Sequence, residues 1–162
     1  MWLTKHKNKS TKRIFKLSKA FTLLELLIAV AILSVTVAIA IPIYNAYKLK
    51  INNAIAITDI VNIQVAVESY YQANDVFPPS LATVNMNLLL DPWGLPYEYL
   101  NLDGVPIGFM RKDQALVPIN SEYDLYSKGP DGASLMPLTA PVSRDDIVRA
   151  NNGSYIGLAS DY

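Results

Sequence analysis

The chain has 162 residues, room for one modest domain, and its 14 basic side chains equal its 14 acidic ones. Lys5, Lys7, Lys9, Lys12, Arg13, Lys16 and Lys19 all fall within residues 1–20, which hold no acid, so the remainder carries seven basic residues against fourteen acidic ones, a net of −7. An acidic body argues against nucleic-acid binding, the absence of cysteine excludes disulfides and thiolate metal sites, and the single histidine, His6, leaves none in the body for catalysis or zinc.

Residues 21–43, FTLLELLIAVAILSVTVAIAIPI, contain one charge, Glu25. A helix of that length spans roughly 30 Å of hydrocarbon. The basic residues before it predict a cytoplasmic start and an outward C-terminal body. An uncleaved signal anchor fits the same pattern. A cleavable secretory signal fits it less well, because the apolar run is long and no small-x-small site follows. Glu25 is costly inside a membrane, by roughly 2.5–3.5 kcal/mol at a helix centre. A free amine at Phe21, one helical turn away, would offset that cost. A Glu at headgroup depth is the plainer alternative.

Beyond Pro42, Ile57, Ile60, Val61, Gln64, Val67, Tyr70 and Tyr71 recur at helical spacing, and Asn74-Asp75 and Pro78-Pro79 end the pattern. One helix from about Phe21 to Ala73 is predicted, roughly 80 Å long. Its first half is apolar all round and its second amphipathic, with a kink near Pro42. A loop over 74–92 follows, then β-like runs at Tyr97–Leu100, Ile107–Arg111 and Tyr123–Tyr126, with residues 127–153 reading as loop. The expected fold is α+β, a long helix packed on a small antiparallel sheet with a C-terminal loop. The expected organisation is a basic segment over 1–20, a membrane-spanning segment over 21–43, which the resemblance described below makes a cleaved leader and an assembly helix, and an outer domain over 44–162. The outer domain divides into helix 44–73, loop 74–92, and sheet with cation loop 93–162.

Two further motifs lie in the body. One is Asp91-Pro92-Trp93-Gly94. The other is the run Tyr123-Asp124-Leu125-Tyr126-Ser127-Lys128-Gly129-Pro130-Asp131-Gly132, followed by Asp145-Asp146. Three aspartates on one loop suggest a hard cation such as Ca²⁺; a solvated acidic loop is the plainer alternative. Trp93, Tyr97, Tyr99, Tyr123 and Tyr126 read as core and sheet packing, and no nucleophile–base pair is visible.

The stretch KAFTLLELLIAVAILSVTVAIAIP resembles the prepilin N-terminal signature of type IV pilins and type II secretion pseudopilins. With the DPWG segment, the GPDG turn and the Asp pair, the resemblance is to the major pseudopilin of type II secretion. It implies a type IV pilin-like fold. It implies removal of the leader by prepilin peptidase between Ala20 and Phe21, N-methylation of Phe21, and a part for Glu25 in filament assembly. It implies a homopolymer with other pseudopilins, an inner-membrane secretion platform as partner, and a single-pass protein with its C-terminal domain in the periplasm. It implies Ca²⁺ held by the side chains of Asp131, Asp145 and Asp146 and the backbone carbonyls of Lys128 and Ala133. Ala20 stands where the family usually has Gly, and Ser34 where many members have Gly. The insert GASLMPLTAPVSR is longer than usual, and the tail Val148–Tyr162 runs past where many members end. A pilin or minor pilin for adhesion, motility or DNA uptake is the alternative use; such pilins often close their C-terminal region with a disulfide, which this chain cannot form.

Overall fold

The computed structural model describes residues 21–162. The leader, and with it Ala20, lies outside the described residues. Two compact units divide after Pro42.

Helix α1, Leu23–Asn74, runs through both units with Pro42 inside it. It begins two residues later and ends one residue later than the apolar pattern suggests. In the first unit every side chain from Phe21 to Pro42 is exposed. The hydroxyls on this stretch bond back to their own helix: Ser34 Oγ donates to the Val30 carbonyl at 2.7 Å and Thr36 Oγ1 to the Ile32 carbonyl at 2.9 Å. These bonds leave neither hydroxyl unsatisfied in hydrocarbon.

In the second unit α1 buries Ala56, Ile60, Ile63 and Val67, spaced four, three and four apart. This is the core-facing stripe of an amphipathic helix. It packs on Leu81, Tyr97, Tyr123, Leu125 and Ile147. Each fully buried aliphatic side chain contributes about 1.5–3 kcal/mol.

The sheet has four antiparallel strands in the order β1-β2-β3-β4: β1 Glu98–Asn101, β2 Tyr123–Ser127, β3 Ile147–Ala150 and β4 Tyr155–Leu158. Alternate residues take opposite faces. Tyr123, Leu125 and Ile147 meet α1, whereas Val148 and Ala150 join a second cluster with Ile119, Leu138 and Ala159. Both faces are therefore covered, and all four residues of β3 are buried.

The fold is the expected α+β arrangement, with two corrections. Ile107–Arg111 is not a strand: Ile107–Phe109 is a short 3₁₀ turn closed by Phe109 N–H donating to the Pro106 carbonyl at 3.0 Å. Pro106 lacks a ladder donor and Gly108 has little strand preference, so the apolar pattern alone misleads there. Residues 127–153 are not all loop, since β3 lies among them, and the tail supplies β4. Among the aromatic residues, Tyr97 and Tyr123 are core, and Trp93, Tyr99 and Tyr126 pack against the two clusters.

Candidate functional site

Two places carry the residues singled out from the sequence: the start of α1 and the loop between β2 and β3.

At the start of α1, Thr22 and Glu25 form a reciprocal cap. The Thr22 N–H and its Oγ1 hydroxyl both donate to Glu25 Oε2 at 2.9 Å, and the Glu25 N–H donates to Thr22 Oγ1 at 3.2 Å. This is the S/T-x-x-E capping box, which satisfies helix donors that would otherwise be orphaned. The sequence reading missed it, although Thr22-Leu23-Leu24-Glu25 displays the spacing. Phe21 is 81% exposed, and the run of large apolar side chains behind it is covered by nothing in the first unit.

The second place is built on the DPWG segment. Asp91 Oδ1 accepts from the N–H groups of Trp93 and Leu95 at 3.1 and 2.9 Å, and the Gly94 N–H donates to the Asp91 carbonyl at 2.9 Å. The tight turn puts Gly94 at φ +89°, a conformation that favours glycine. The other carboxylate oxygen, Oδ2, accepts from Ser127 Oγ at 2.6 Å, and Ser127 Oγ accepts from the Gly129 N–H at 3.1 Å. DPWG thus anchors the end of β2 and the start of the loop that follows.

That loop returns at Asp145-Asp146. Gly129 lies at φ +65°, and a Cβ there would strike the Asp145 carbonyl oxygen. Gly129→Ala is therefore expected to cost at least about 2 kcal/mol, from left-handed strain and overpacking together, read as a lower melting temperature of the chain in detergent. Gly94→Ala has open space around its Cβ and should cost only the conformational part, about 1–2 kcal/mol.

The five expected calcium-site residues fare differently. Gly129 brings the chain beside Lys128 against Asp145. The Lys128 side chain pairs with Glu98 at 2.5 Å. Asp131 is exposed, with Oδ1 accepting from the Ala133 N–H at 2.8 Å in a local turn. Asp145 is half-buried and Asp146 fully buried. Among the described residues no three acidic or imidazole groups come together to hold a metal ion. The group that meets Asp146 is instead Arg111. Its Nη2 donates to Asp146 Oδ2 at 2.5 Å and its Nη1 to the Leu135 carbonyl at 2.8 Å and to Ser134 Oγ. Ser134 Oγ donates in turn to Asp146 Oδ2 at 2.6 Å. Burial pushes the Asp146 carboxyl up to about 6, while Ser134 and the guanidinium pull it back. Arg111 also lies 4.2 Å from the centre of the Tyr126 ring. The sequence reading did not single out Arg111. The one signal was that only seven cations stand outside the leader, and arginine suits a buried multidentate pair better than lysine.

An apolar helix with an acid in its first turn, together with a helix-on-sheet domain, defines a prepilin-type protein. A family described as the prokaryotic N-terminal methylation motif matches residues 15–41. Type II secretion system core protein G of Vibrio cholerae is 32% identical over 101 residues, covering 50% of this chain and 69% of that one. The Klebsiella pneumoniae protein of the same name is 29% identical over 133 residues, covering 80% and 91%. A fimbrial protein of Neisseria meningitidis serogroup A is 28% identical over 141 residues, covering 84% and 81%. The chain belongs to the type II secretion core protein G family, the major pseudopilins.

Proposed function

We propose that the chain is the structural subunit of a type II secretion pseudopilus, polymerising through α1 with copies of itself and other pseudopilins to support protein export. The observation that carries this reading is the exposed apolar surface of residues 21–43. Such a surface must be covered by lipid before assembly and by neighbouring helices after it. The capped Glu25 lies one turn from where the mature amine would stand. In this reading prepilin peptidase cuts between Ala20 and Phe21 and the new amine is methylated. The subunit rests in the bacterial inner membrane with residues 44–162 in the periplasm, and an inner-membrane assembly platform drives the filament. The part is mechanical and calls for no enzymatic centre.

Intact mass of the membrane-extracted protein tests the processing step. The expected product begins at Phe21 and carries one additional methyl group. Recovery of assembled protein that retains residues 1–20 would overturn the reading. The coverage of fimbrial relatives supports a second use, as a pilin for adhesion, motility or DNA uptake. Deleting the gene separates the two: trapped exoprotein in the periplasm marks secretion, whereas lost surface fibres with normal export mark the pilin.

A further inference from the structure

We propose that Arg111 is the resident cation of the β2–β3 loop, and that its guanidinium performs the loop-closing task for which the family resemblance implies calcium. The insert 132–144 makes this possible.

The loop chain passes directly over Arg111. The Lys112 N–H donates to the Met136 carbonyl at 3.0 Å and the Leu138 N–H to the Lys112 carbonyl at 2.9 Å. Lys112 and Pro137 form a parallel bridge, and Leu138 is buried in the second core cluster. The insert is thus docked as an added backbone rung beside residues 111–112. Docking aims the Leu135 carbonyl and the Ser134 hydroxyl at the Arg111 guanidinium, and the same guanidinium holds Asp146 at the start of β3. Ser143 closes the far side: the Leu135 N–H donates to its Oγ at 2.8 Å, and that hydroxyl donates to the Leu135 carbonyl at 2.9 Å. Asp124, buried on β2, accepts from the Arg111 N–H at 2.7 Å and fixes the root of the side chain.

Charge and ligand count agree with this assignment. A carboxylate, a carbonyl and a hydroxyl converge on one buried positive centre, a donor set that suits a hard cation, and here the guanidinium meets it. Arg111 is 2% exposed and Asp146 is fully buried, so the pair is shielded from solvent and salt. The pair leaves one donor, Arg111 Nε, and one acceptor, Asp146 Oδ1, buried without partners. The contact between Arg111 and Asp146 therefore runs through one arm, Nη2 to Oδ2. Asp131 caps its own turn at the exposed end of the loop and is not drawn to Asp146.

The inference is independent of filament assembly and is tested on the full chain in detergent micelles. The parent is expected to melt at the same temperature in millimolar calcium and in chelator, with no heat of calcium binding by calorimetry. Arg111→Met should lower the melting temperature by on the order of 10 °C, because Asp146 is left charged and unpaired. Asp146→Asn should do the same from the other side. The double substitution Arg111→Met with Asp146→Leu removes both charges and should melt above either single variant. A parent whose melting temperature rises with calcium and falls with chelator would overturn the assignment. So would a double variant as unstable as the two single losses combined. If Arg111→Met fails to fold, the calcium response of the parent and the melting of the double variant still decide.

Discussion

Glu25→Ala is expected to abolish filament formation while leaving membrane insertion intact. Insertion should if anything improve, because a charge leaves the apolar segment. The local cost is the capping box, about 0.5–2 kcal/mol, which a helix of 52 residues tolerates. The large cost falls on assembly. An amine at Phe21 packed among apolar helices without a counter-charge loses about 3–5 kcal/mol. At about 1.4 kcal/mol per tenfold, that is a drop of at least about a hundredfold in subunit affinity. Shear-released filament measured against membrane-bound subunit reads it directly. Glu25→Gln separates charge from cap, since the amide can still bond to Thr22. Equal loss in both variants assigns the effect to the charge; normal filaments from Glu25→Gln would assign it to the cap instead.

Arg149→Met is expected to be the most destabilising single change in the second unit. Arg149 is fully buried on β3, and its guanidinium lies 3.8 Å from the centre of the Tyr123 ring. It donates to Glu122 Oε2 at 2.9 Å, to the Tyr123 carbonyl at 3.3 Å and, through Nε, to Gln64 Oε1 on α1 at 3.0 Å. One side chain therefore ties helix, β2 and β3 together. Breaking it costs about 3–5 kcal/mol for the pair, and the lost ring contact adds up to about 2 kcal/mol. Against a typical stability of about 5–15 kcal/mol, that is about a fifth or more of the total. The expected reading is a melting temperature lower by more than about 10 °C and a reduced level of protein in cells. Glu122→Gln, which keeps an acceptor at the more exposed end of the pair, should cost less than Arg149→Met. Similar melting curves for the two variants would contradict this ranking.

The sequence was most legible where the pattern is long. The apolar run and the helical spacing located α1 to within two residues at each end. Ile60 and Val67 of the expected face are buried, but the stripe also runs through Ala56 and Ile63, which the period had not picked out. β1 and β2 were legible because aromatic and aliphatic residues cluster there between turn signals. β3 and β4 were not, because Ile147–Ala150 and Tyr155–Leu158 are four residues each and lie among Gly, Asn, Asp and Ser. Pairing defines β3, with Tyr126 opposite Val148 and Ser127 opposite Ile147 on one side and β4 along the other. Register of that kind lies in tertiary contacts and leaves little trace in a short run of residues. The aspartates of the loop were found, but the partner of Asp146 was not, since Arg111 stands 35 residues before it.

The position of β4 bears on what happens to incomplete chains. β4 is the edge of the sheet, and it covers a strand buried along its whole length. A chain that ends early, or is clipped by a protease before Tyr155, bares the hydrogen-bonding edge of Ile147–Ala150. That edge is short but unguarded by proline or lysine, and it would accept a strand from another damaged copy. Release of the C-terminal tail thus converts a filament subunit into an aggregation seed.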